Sequence, residues 1–296
     1  LDYIRRDNYF CNLEVELGYR FLNYLYLDFQ EKADNEKLIK QEGKIPINYT
    51  EGKRRVFVRL WKDSGKRPRR DLLTDLNRLM EARYMIGERA YFHHAKIASS
   101  AMLGRAIQEC QSSMTNQDLD DLFCNNGDEV VLEKLKEKGS NITKDLLERL
   151  DKRRLFKRVG RFSRGLFTGK NEEDVHSSFL QNAEKELSNP SNRLVQENKL
   201  AFLLNIPAGD ILIYAPPLKM NRKIAEMKVK WNGEQSIFHN IDEPISKNRL
   251  RTTLKAHELL WGIEIVMNPK YFSPEVKRVV SDWFENNYLT SRREIE

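Results

Sequence analysis

Long apolar runs are missing from this sequence. Mean hydropathy is −0.67, and no uninterrupted apolar stretch approaches the ~20 residues that a membrane-spanning helix needs. A basic stretch followed by an apolar one is also missing from the start, so no signal peptide is read. The protein is therefore expected in the cytoplasm, with no membrane partner. Cysteine is scarce: Cys11, Cys110 and Cys124 are odd in number, widely spaced and form no CxxC pair. That pattern excludes a disulfide framework and a cysteine metal cage, and it suits reduced thiols. The first residue is Leu1 rather than Met, and Leu1 to Asp7 reads as a helix turn without a capping residue. On that ground the chain is expected to be a piece of a longer protein.

What is present suffices for a sizeable core. The 296 residues are 40% hydrophobic and 32% charged, with 4 Trp, 11 Tyr and 14 Phe spread along the length, which excludes disorder throughout. Fifty-one Lys and Arg face 44 Asp and Glu, a net charge of +7. The excess is local. Nine basic residues lie between Lys53 and Arg70, and seven lie between Lys152 and Arg164. Guanidinium forks at that density suit phosphate groups, which makes polyphosphate and nucleic acid the candidate partners.

Apolar periodicity predicts helix from residue 1 to about 40, through Leu13, Leu17, Phe21, Tyr24 and Leu25. A loop follows over 41–52, then a short strand over 55–61. The strongest helical signal runs from Arg70 to Cys110; its length predicts a kink near Gly87 or a break near Arg70. Shorter helices are expected over 116–123, 127–138 and 143–154, the last capped by Asn141 or Thr143. Beyond them come helices over 172–187, 192–204, 246–259 and 273–288, and strands over 210–214, 223–231 and 261–267, with a turn at Asn232-Gly233. This predicts a mainly α protein: an all-helical body over 1–160, followed by a small α+β region over 161–296.

Three chemical motifs fail on inspection. Gly165 to Asn171 is one residue short of a phosphate loop and has Asn where Ser or Thr must meet magnesium. His257-Glu258 lacks the second histidine of HExxH. His93 and His94 are neighbours on a helix, about 100° apart, and cannot share one ion.

Two segments are more specific together. Leu1-Asp2-Tyr3-Ile4-Arg5-Arg6-Asp7 contains a DYxxRD-like stretch. Arg83 is followed eight residues later by Tyr91, and after one more residue by His93. Together they resemble the C-terminal half of the HD-domain deoxynucleotide triphosphohydrolases, the superfamily of bacterial dGTP triphosphohydrolases and the animal SAM-and-HD-domain dNTP hydrolase. A third, weaker likeness is Arg153 to Gly160, and the resemblance is best over residues 1–160. It implies an HD-type helical body and cleavage of a dNTP to deoxynucleoside and triphosphate. It also implies a divalent metal in the full-length enzyme and a homo-oligomer.

The family's metal is held by a histidine, a His-Asp pair and a later aspartate. No His-Asp dipeptide occurs here, and the matching aspartate would lie upstream of Leu1. The resemblance therefore places no metal ligand and no catalytic residue in this chain, which alone should be inactive. It does imply substrate-binding roles: Arg83 for the triphosphate, Tyr91 against the sugar about 80° around the same helix, and Tyr3 and Asp7 for the sugar hydroxyls. A regulatory nucleotide would fall to His93, Arg153, Lys157 and Arg69. Departures count against that second site: His94 stands where lysine is common in activated relatives, and Asp71 and Asp75 bring acid nearby. The alternative is a non-catalytic HD-like module that binds nucleotide or nucleic acid.

Overall fold

The computed structural model describes residues 2–13, 17–29, 54–62, 67–164, 175–217, 227–232, 234–238 and 244–289. In chain order these form α1 (Asp2–Phe10), β1 (Leu25–Phe29), β2 (Arg54–Arg59), β3 (Trp61–Lys62), β4 (Arg67–Pro68), α2 (Arg70–Ile86) and α3 (His94–Cys110). Next come α4 (Asn116–Asn125), α5 (Asp128–Lys138), α6 (Asn141–Asp151), β5 (Lys157–Ser163), α7 (Val175–Leu187), α8 (Pro190–Leu203) and β6 (Ile211–Tyr214). Last are β7 (Lys228–Trp231), β8 (Glu234–Ile237), α9 (Pro244–Leu260), β9 (Gly262–Met267) and α10 (Pro274–Tyr288). The chain is mainly α with a small sheet part, as its periodicity predicts. The loop expected over 41–52 and the rejected phosphate loop lie outside the described residues.

Local chemistry explains the helix ends. Thr115 caps α4 and exchanges hydrogen bonds with Asp118 in a capping box. The Ser140 side chain accepts the Thr143 N–H, so the cap of α6 lies one residue before Asn141 and three before Thr143, the two expected caps. Proline opens α8 and α10 behind the caps Asn189 and Ser273. The long helical stretch does break near Gly87: α2 ends at Ile86, a π-turn spans Gly87–Tyr91, and α3 restarts at His94 behind the cap His93.

Two compact units emerge, each assembled from separated stretches of chain. The first comprises Leu1–Glu88 and Arg222–Glu258. Its sheet has the order β1-β2-β7-β8, antiparallel except for the parallel β2–β7 pair. Leu72, Leu76, Leu79, Met80 and Ile86 line the buried face of α2, and α1 packs on that helix. The helix expected up to residue 40 is corrected here over residues 11–13 and 17–29, while 14–16 and 30–40 lie outside the described residues. α1 stops at Phe10, a single 3-10 turn covers Arg20–Tyr24, and Leu25–Phe29 is strand β1, paired in full register with β2. Ladder bonds to a segment some thirty residues away outweigh a helical spacing that is local and weak.

The second unit comprises Arg89–Asn221 and Leu259–Glu296. Its antiparallel sheet has the order β5-β9-β6, with the fully buried β9 in the middle. Alternation sends Ile263, Ile265 and Met267 to one face, where Leu187, Leu200, Val280 and Phe284 close a core around them. Phe162 and Phe284 stack there with ring centroids 3.6 Å apart. Leu212 and Val266 face the other way, into a second core with Met102, Leu146 and Phe156. The expected division at 160/161 falls inside β5, whose ladder to β9 is made by residues on both sides of it.

The turn into β6 depends on Gly209. Its φ is +90°, and a Cβ there would stand 2.7 Å from Ile142. Gly209→Ala is expected to cost about 1–3 kcal/mol, read as a lower urea midpoint with unchanged slope.

Candidate functional site

In the first unit, α1 turns Ile4 and Asn8 inward and leaves Tyr3 and Asp7 half-buried beside them, one helical turn apart. The Arg6 Nε lies 3.6 Å from Asp7 Oδ1. α2, packed against α1, carries the half-buried Arg83. The neighbouring carboxylates are committed elsewhere. Glu81 accepts from Arg249 at 2.7 Å, and Glu88 accepts from the Tyr84 hydroxyl at 3.2 Å. Among the described residues Arg83 has no ion pair. Arg70 and Arg78 on the same helix are likewise without an ion pair among the described residues but are exposed, so Arg83 differs from them in being half-buried.

Arg69 belongs to the same unit, and its guanidinium carbon lies 4.3 Å from the centre of the Tyr24 ring. Asp71 is engaged by Arg20 at 3.3 Å, while Asp75 is buried.

Tyr91, His93, Arg153 and Lys157 belong to the second unit. Tyr91 is exposed at the end of the π-turn, which corrects the expectation of an 80° offset along one continuous α-helix. A π-turn inserted in a helix widens the backbone and is frequent at functional sites. His93 accepts the Ala95 N–H on Nδ1 at 3.3 Å, and its ring lies 4.2 Å from that of His94. Partial desolvation, then His93, then Arg158, lower the His94 pKa. Arg153 takes a left-handed backbone, φ 53°, in the link between α6 and β5, and Lys157 is exposed at the start of β5.

The basic segment 152–164 is more tied down than its composition suggests. Lys152 pairs with Glu148. A bulge between Arg158 and Gly160 lets Arg158 and Arg161 both approach Glu264 Oε1, at 3.5 and 3.6 Å. Glu264 is a buried acid in the apolar run of β9, and its Oε2 is buried without a hydrogen-bond partner. Burial pushes its pKa up against the pull of the two arginines. The folded carboxyl thus holds its proton at a pH where the unfolded one has lost it. Its contribution is fully present below the unfolded value near 4.5 and is lost as pH rises through the higher folded value. Glu264→Gln is expected to flatten the decline in melting temperature over that window, measured by pH-resolved thermal unfolding.

Among the described residues no three of His, Cys, Asp and Glu converge on a point that would hold a metal. No described helix is long and apolar enough to cross a membrane.

No curated protein matches the chain. Similar solved structures include a hypothetical protein from Aquifex aeolicus, 16% identical with a TM-score of 0.47; the similarity covers 94% of this chain and 56% of that one. A phosphohydrolase from Bacteroides thetaiotaomicron is 11% identical with a TM-score of 0.40, over 90% of this chain and 60% of that one. The chain thus spans less than two thirds of either protein. The family model described as the HD associated region matches residues 76–247. That stretch includes Arg83, Tyr91, His93, Arg153 and Lys157, and leaves out Tyr3, Asp7 and Arg69. It is more than half of the 296 residues, and the chain belongs to the family of proteins with an HD-associated region.

Proposed function

We propose that this chain is the substrate-holding part of an HD-type phosphohydrolase that cleaves a dNTP to a deoxynucleoside and inorganic triphosphate. The observation that carries the reading is Arg83, half-buried and without an ion pair among the described residues, on a helix packed against the one that bears Tyr3 and Asp7. The match to the HD-associated region supports the reaction class.

Each residue has a defined task in this reading. Arg83 donates to two triphosphate oxygens and offsets the charge that grows on the leaving group. Tyr3 and Asp7 meet the sugar hydroxyls, Asp7 as acceptor. Activation of water at neutral pH, which a divalent ion supplies in this class, is asked of residues outside this chain. Holding the polyphosphate in line is what these side chains contribute.

The test is turnover of the four dNTPs by the full-length protein with added Mg²⁺ or Mn²⁺, with triphosphate as the product read. An intact dNTP pool under every condition sinks the reading. The second reading, a nucleic-acid-binding module, is favoured by the first unit's sheet, where Arg59 lies 5.2 Å from the Tyr26 ring and Trp61 packs edge-on to Trp231. Arginine beside aromatic faces suits single strands. Retardation of single-stranded RNA by a protein that leaves dNTPs intact would select it.

A further inference from the structure

Strand β1 is one edge of the first unit's sheet, and among the described residues no strand pairs with its outer side. Edge strands present backbone groups to any passing strand, and proteins guard them with lysine, proline, a bulge or a covering element. The β1 sequence Leu-Tyr-Leu-Asp-Phe contains neither lysine nor proline, and it pairs with β2 in unbroken register without a bulge. Those guards are absent here.

The exposed side chains share one face. Directly opposed residues of a ladder lie side by side on the same face, so Leu27 stands beside Val56 and Leu25 beside Val58. Leu27 is 64% exposed and Val56 55%, and Leu25 is exposed too, while Val58 is buried. Water therefore meets an aliphatic strip that runs out to the edge of the sheet.

The residues of β1 select the strand that would extend it. A second β1, laid antiparallel along the edge with a two-fold axis at Leu27, pairs all five residues of each strand. The central row then reads Val56 and Leu27, followed by Leu27 and Val56 of the second copy, all aliphatic. On the opposite face, Asp28 lies between Arg55 of its own hairpin and Tyr26 of the second copy. Arg59, 5.2 Å from the Tyr26 ring, adds positive charge on the far side of that carboxylate. Moving the axis to Tyr26 or Asp28 leaves two residues of each strand outside the new ladder, and the second choice sets the two carboxylates face to face. The contact centred on Leu27 is self-complementary, as a two-fold interface must be.

We propose that β1 is a homodimer interface, through which two copies of this chain join edge to edge, antiparallel about Leu27, into one eight-stranded sheet. The inference rests neither on the phosphohydrolase reading nor on the nucleic-acid one. Five residues a side make a short ladder, and pairs that bury less than about 1,200 Å² are transient. A dissociation constant on the order of 100 µM is expected.

The test is a cysteine on the axis, in full-length protein carrying Cys11→Ser and Cys124→Ser to remove the exposed thiols. Leu27→Cys sets the two thiols on directly opposed residues, whose Cα atoms lie ~4.5–5.5 Å apart, within disulfide reach. In a glutathione redox buffer, with protein at about twice the expected dissociation constant, roughly half or more should become a disulfide-linked dimer. Leu25→Cys is the control on the same exposed face. Its counterpart in the second copy lies roughly 13 Å along the ladder, out of reach, and it should give less than about a tenth as much dimer. Leu27→Lys, with the native cysteines, should weaken self-association about tenfold or more in sedimentation equilibrium by guarding the edge. Its melting temperature in dilute solution should hold, because Leu27 is exposed. The proposal is overturned if Leu27→Cys stays monomeric on oxidation, if Leu25→Cys cross-links as well as Leu27→Cys, or if Leu27→Lys self-associates like the wild type.

Discussion

Replacing Arg83 by alanine in the metal-loaded full-length protein should lower dNTP turnover by about 10²–10³-fold, the usual loss when one preorganised donor to a developing charge is removed. The fold should survive. Arg83 is half-buried and makes no ion pair among the described residues, so its removal orphans no carboxylate. Glu81 keeps Arg249 and Glu88 keeps the Tyr84 hydroxyl. Arg83→Lys separates charge from geometry. Lysine keeps the charge but loses the two-pronged fork, and it should recover a minor part of the rate. Loss in kcat with melting temperature held is the expected signature. Wild-type turnover in Arg83→Ala would remove Arg83 from the site, even if the protein proves to be a dNTP hydrolase.

Elements with their own local signals were legible from sequence. The capping box at Thr115 and Asp118, the prolines at 190 and 274, and the apolar run of β9 each announce an element without help from the rest of the chain. β1 and β5 were missed for opposite reasons. β1 carries leucines at spacings that also fit a helix, and only its pairing to β2 decides. In β5 the arginines and lysines hide the inward-facing Val159 and Phe162, so a strand reads as a charge cluster. Residue types at the candidate site could be picked out by resemblance. Their distribution over two compact units could not, because the boundary at 88/89 falls within a π-turn that looks like ordinary helix in sequence. Glu264 did leave a signal: it is the one acid between Trp261 and Met267. Arg105 and Glu197 left none, since each sits in a polar helix pattern and the partners are 92 positions apart.

That buried pair carries the largest stability effect expected in the second unit. Glu197→Ala should destabilise it by about 3–5 kcal/mol, the cost of stranding one member of a buried ion pair. For a unit of this size that is a fall in melting temperature of roughly 6–20 °C. Two losses combine. Arg105, 3% exposed, would keep Glu109 at 2.8 Å and Asn198 at 3.4 Å but lose its shortest contact. The Ile213 N–H at the edge of β6 would lose its acceptor, and an unmet buried donor costs about 1–3 kcal/mol. Glu197→Gln distinguishes the two contributions, because its amide oxygen can still cap Ile213 while the charge is gone. If the acceptor role dominates, glutamine should recover most of the loss; if the charge dominates, it should recover little. A melting temperature for Glu197→Ala within a degree or two of wild type would mean that water relaxes into the site and that the pair contributes little to holding α3, α8 and β6 together.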